Sequence, residues 1–111
     1  MWRAIQKLDA ATTKFGRPFQ PIDELKPMME AAGFVDVVES RFVWPSNTWP
    51  RDRQLKELGV WNHESMTSGL SGFFMAPMTR ALNWSPEQVE VEMAAVRKDF
   101  ADKSIHAYWP M

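Results

Sequence analysis

The chain has 111 residues, with 14 acidic and 13 basic side chains and a net charge of −1. That length bounds it to one domain, residues 1–111, with a modest core, and the charge offers no basic face for nucleic acid. There is no cysteine, which excludes disulfides, thiolate metal sites and a cysteine nucleophile, and no run of 18 apolar residues that could span a membrane.

From Trp2 to Phe15, the residues Trp2, Ile5, Leu8, Ala11 and Phe15 recur at three- and four-residue steps, which predicts an amphipathic helix. This N-terminus carries Asp9 and does not read as a signal peptide; the absence of cysteine fits a cytoplasmic protein. Gly16 ends the helix and Arg17-Pro18 opens an extended connection. Ile22, Leu25, Met28, Met29 and Ala32 form a second stripe, with Asp23 as the expected N-cap, Pro27 near the first turn and Gly33 as the stop. From Phe34 to Val43 the pattern changes to β-branched residues interleaved with Asp36, Glu39 and Arg41, which predicts the best strand of the chain. Pro45 and Pro50 then close off regular structure. Leu55, Leu58 and Trp61 share a helical face after Arg53. Met66, Leu70, Phe73, Phe74, Met78 and Leu82 continue it, with Gly69, Gly72 and Pro77 predicting a bent or broken helix. Ser85-Pro86-Glu87-Gln88 is a helix start with a capping box. Val89, Met93, Val96 and Phe100 line the buried face of that last helix, which fades near Lys103. Ile105 to Pro110 reads as the opening of a strand. The expected fold is mainly α (α+β), with four to five helices and one or two short strands.

Several segments carry a resemblance when read in order. They are Phe15-Gly16-Arg17-Pro18, Ala32-Gly33-Phe34, Trp49-Pro50-Arg51-Asp52, Lys56 to Asn62, Asn83 to Val89, and Ile105 to Pro110. Together they resemble the C-terminal half of a fungal class I S-adenosylmethionine (SAM) methyltransferase, of the group of secondary-metabolism regulators. The resemblance implies that the Val35–Val43 strand and the one opening at Ile105 derive from the last strands of a Rossmann-like sheet. It also implies that the helices from Arg53 to Lys103 form a cap over the substrate. In such enzymes the cofactor sits on a glycine-rich turn after a strand. The nearest approach here, Gly69-Leu70-Ser71-Gly72, falls inside a helical pattern, so no cofactor-binding residue is assigned and no cofactor is expected. A strand without its former neighbours must refold, pair with the Ile105–Pro110 segment, or pair with another chain. A C2 homodimer is the expected solution.

Six Trp, eight Met and seven Phe either fill a small core or wall a cavity for an apolar ligand. On the second reading, Trp49, Trp61, Asn62, Met66, Phe73, Phe74 and Trp109 are the substrate-binding candidates. His106 could move a proton near neutral pH beside Tyr108, making these two the catalytic candidates. The alternative for His106 is a structural hydrogen bond. His63 and Glu64 are adjacent on a helix, diverge, and read as a solvated start. Asp52 and Lys56 read as an i, i+4 ion pair. Two histidines without cysteine predict no metal.

Two functions follow. One is a small natural-product enzyme that keeps a methyltransferase's substrate pocket and performs a cofactor-free cyclisation, pericyclic reaction or isomerisation of an apolar metabolite. The other is a non-catalytic partner or remnant subunit of a SAM-dependent methyltransferase. Met1 at a helix start and enough apolar residues for a core suit a self-standing protein.

Overall fold

A computed structural model describes all residues, Met1 to Met111. The elements in order are helix α1 (Trp2–Lys14), a single 3-10 turn (Ile22–Glu24), helix α2 (Leu25–Ala31), strand β1 (Val43–Pro45), helix α3 (Arg53–Ala81), helix α4 (Pro86–Ala101) and strand β2 (Tyr108–Pro110). The fold is mainly α, with four helices and one two-stranded sheet.

The core is built where the helical stripes meet. Leu70, Phe74 and Met78 of α3 pack on Val89, Met93, Val96 and Phe100 of α4, with Ala4 and Leu8 of α1 closing the cluster. α4 runs back along α3, as shown by Arg97 donating to the Thr67 carbonyl (3.3 Å) and Ser71 bonding Glu90 (3.2 Å). The small residues Ala4 and Ala11 let α1 lie close, and Lys14 Nζ reaches the Ala81 carbonyl at 2.7 Å. The Ser85 hydroxyl accepts from Gln88 N while Gln88 Oε1 accepts from Ser85 N, the reciprocal cap that the sequence predicts for α4.

Three expectations are corrected. Of the bent or broken helix expected around residues 66–82, the break is absent: α3 is one helix of 29 residues that runs through Pro77. Its apolar contacts with α4 outweigh the one hydrogen bond that proline removes. Asp23 does not cap α2. It lies within the 3-10 turn, and its carboxylate accepts from Arg41 at 2.8 Å instead. The strand predicted from Phe34 to Val43 begins only at Val43. β1 pairs antiparallel with β2, Val43 facing Pro110, Trp44 facing Trp109 and Pro45 facing Tyr108, and Phe42 exchanges both main-chain bonds with Met111. Beyond Phe42 there is no neighbouring strand, and Asp36 adopts φ +56°, which turns the chain out of a pleat.

Except for Phe19, which borders the cavity at the end of the helical core, the stretch from residue 15 to 42 stands apart from that core. No residue of α2 is buried, and its main neighbour is the turn just before it. The Cα radius of gyration is 16.5 Å, against about 13 Å for a compact chain of this length.

Candidate functional site

The helical spacing that makes the core also leaves a cavity at one end of it. The turn-to-turn steps of α3 put Met66, Leu70, Phe73 and Phe74 along one wall. Ile5 and Leu8 of α1, Val96 and Phe100 of α4, and Trp109 of β2 complete it, with Met1 and Phe19 at the rim. The cavity holds about 210 Å³, and every residue lining it is apolar. Trp109 is held there by the β1–β2 ladder and by its tilted contact with Phe100, ring centroids 6.2 Å apart. Its indole N–H is buried without a hydrogen-bond partner, a cost of about 1–3 kcal/mol in general.

Of the nine residues singled out in the sequence, four line this cavity: Met66, Phe73, Phe74 and Trp109. Phe74 is buried in the core, whereas Phe73 is 67% exposed and forms the outer lip. Tyr108 borders an adjoining groove with Trp2, Asp99 and Ile105, which shares Met1, Ile5 and Trp109 with the cavity. His106 borders neither. It is exposed, and its ring stacks on Trp49 with centroids 4.7 Å apart and planes at 18°. Trp49 Nε1 donates to the Ala107 carbonyl at 2.8 Å, so Trp49 pins the entry of β2. Asn62 is buried, but its Nδ2 donates to the Pro45 carbonyl at 2.7 Å and ties α3 to β1. Trp61 is exposed on α3. Asp52 does not pair with Lys56. Its carboxylate caps α3 by accepting from Leu55 N at 2.9 Å.

The sequence reading missed the residue that holds this end together. Asn47 is buried, its Nδ2 donates to the Phe100 carbonyl (2.8 Å) and the Asp102 carbonyl (3.1 Å), and its Oδ1 accepts from Trp49 N (2.9 Å). Gly59 permits the approach: a Cβ there would lie 2.1 Å from the Asn47 carbonyl oxygen. Two carboxylates near α4 are held below the usual range. Glu87 is lowered by its own main-chain N–H and then by the Ser85 hydroxyl; Asp102 by the Ser104 hydroxyl and then the Ser104 N–H. Neither lines the cavity. No three His, Cys, Asp or Glu side chains come together.

The chain is 34% identical over 99 residues to the secondary metabolism regulator LAE1 of Cochliobolus heterostrophus, a match covering 88% of this chain and 32% of that protein. Its homologues are fungal secondary-metabolism methyltransferases and regulators. A probable methyltransferase, tdiE, of Emericella nidulans is 29% identical across 91% of this chain and 32% of its own length. The methyltransferase pytC of Aspergillus terreus is 33% identical across 96% and 33%. The chain thus spans about a third of the length of the curated relatives it matches. No family model matches it, and no solved structure does. No helix is long and apolar enough to cross a membrane.

The residues present do not fit a SAM cradle. Gly69 and Gly72 lie in the middle of α3, where main-chain N–H groups are committed to carbonyls one turn back. Open space surrounds the position a Cβ would take at either glycine, so nothing requires a close backbone approach there. β1 leads into Ser46-Asn47, which is buried and tied to α4, not into a glycine turn.

Proposed function

We propose that this methyltransferase-derived chain binds an apolar metabolite of secondary metabolism in the cavity between α1, α3, α4 and β2. The observation that carries this reading is the lining: about 210 Å³ bounded only by apolar side chains. A dry apolar cavity of roughly 150 Å³ accepts benzene, so this one suits a one- or two-ring portion of a ligand. The rest of the molecule would run along the adjoining groove, where the Tyr108 hydroxyl and the Asp99 carboxylate supply the polar contacts. Chemistry in such a site is cofactor-free and acts through shape, as a cyclisation, pericyclic reaction or isomerisation does, because holding a reactive conformer can itself remove several kcal/mol of barrier. Tyr108 is the general acid available to that groove. His106 stacks outside it on Trp49.

A second reading is supported by a different observation. The exposed apolar stretch from Phe15 to Val43, on a chain spanning about a third of its relatives, suits a subunit that works with a partner supplying the methyl donor.

Isothermal titration with 2-naphthol tests the first reading. Micromolar binding that Phe73→Glu weakens roughly tenfold is expected, since that side chain lies at the lip and its replacement puts a charge in an apolar mouth. Absent binding, or binding indifferent to Phe73→Glu, removes the cavity as the ligand site. Turnover lost in Tyr108→Phe and kept in His106→Ala is expected once a substrate is in hand.

A further inference from the structure

The main chain from Val35 to Arg41 makes no main-chain hydrogen bond, although its composition is the most strand-like in the protein. Val38 is 85% exposed and Phe42 64%. The ladder already present fixes which way this segment's polar groups would point once its pleat is continued back from Phe42. Phe42 exchanges bonds with Met111, and Ser46 N donates to the Ala107 carbonyl at 3.0 Å. Even-numbered residues therefore direct their main chain toward β2. Odd-numbered residues direct theirs to the opposite edge, which is open before Pro45. Asp36, at φ +56°, ends any pleat on the N-terminal side. The open edge thus offers Val37, Glu39, Arg41 and Val43.

We infer that this edge pairs with the same edge of a second copy, as an antiparallel ladder about a two-fold axis. Residues bonding across one edge share parity, so the axis must fall on a residue. An axis on Glu39 or Arg41 sets like charges face to face, which is destabilising. An axis on Val38 sets Val37 against the partner's Glu39. With the axis on Ser40, Glu39 faces the partner's Arg41, Arg41 faces the partner's Glu39, Val37 faces the partner's Val43 and Val38 faces the partner's Phe42. Every pair then matches in charge or in apolar character. Within each chain Glu39 and Arg41 already form an ion pair on one face of the segment, and Arg41 also reaches Asp23, so dimerisation exchanges the two intrachain Glu39–Arg41 pairs for two cross-strand ones. The interface is isologous and closed.

The natural chain has no cysteine, so Ser40→Cys introduces the only thiol. Ser40 occupies a pair whose Cα atoms would be about 4.5 Å apart, within the range of a disulfide. Light scattering at micromolar concentration is expected to give twice 12.9 kDa, and mild oxidation is expected to link Ser40→Cys chains but not Val38→Cys chains. Arg41→Glu is expected to weaken self-association roughly tenfold by opposing two like pairs, and adding Glu39→Arg to it is expected to restore the dimer. A 12.9 kDa species, equal linking at both positions, or a dimer indifferent to the charge exchange would each overturn this arrangement.

Discussion

Asn47 and Gly59 decide how β1 and β2 meet the helices. Asn47 satisfies two carbonyls that α4 leaves open at its C-terminal end, where the last turn has no intrahelical donors. Asn47→Ala strands the Phe100 carbonyl in a buried place, and a loss of about 1–3 kcal/mol is expected in denaturant unfolding. Gly59→Ala places a methyl against the Asn47 carbonyl, and overpacking of this kind costs about 1–3 kcal/mol. Neither contact was legible in the sequence: Asn47's hydrogen-bond partners lie 53 and 55 residues away, and no local pattern announces them or the approach of Gly59 to the Asn47 main chain. Asn62 shows the same limit from the other side: it stood out beside Trp61 as a ligand contact, and it is a strap to Pro45. Met66, Phe73 and Phe74 were legible as apolar candidates from the spacing and bulk of side chains along α3, and Trp109 from its bulk alone. Asp102 adds a pH dependence. Its carboxyl is held below the ordinary range by Ser104, so its contribution is present above about pH 4 and lost as pH falls through its lowered value. Asp102→Asn is expected to flatten the acid limb of a thermal-stability profile, and an unchanged limb would contradict the role given to Ser104.

At the scale of elements, the helices were readable because their signals are local. The capping box at Ser85 starts α4 as predicted, and Ser85→Ala is expected to cost about 1 kcal/mol by thermal melting. α3 exceeded its sequence signals. Gly69, Gly72 and Pro77 argue for a break, yet Leu70, Phe74 and Met78 are all buried against α4, and tertiary contact overrides propensity. The strand failed for the converse reason. Val35 to Val43 has the right residues, but a strand exists only with a neighbour, and within the chain that neighbour runs only from Tyr108 to Met111. The end of the prediction that survives, Val43 with Phe42 bonded before it, is the part that β2 and Met111 reach.

For the whole molecule, composition signalled a modest core, and the core is modest: nine buried side chains in one cluster. What composition could not give is the division into a packed three-helix part and an apolar stretch that packs on little. That division explains the large radius of gyration, and it distinguishes two apolar surfaces with different claims on a ligand, the cavity at the end of the helical core and the open stretch with Met28 and Met29. The eight methionines distinguish them. Methyl labelling of methionine, followed by titration with 2-naphthol, reads both surfaces in one spectrum. Binding in the cavity predicts saturable shifts at Met1 and Met66, which line it, and stationary signals from Met28 and Met29. Shifts at Met28 and Met29 with Met66 unmoved would contradict the assignment of the cavity as the site.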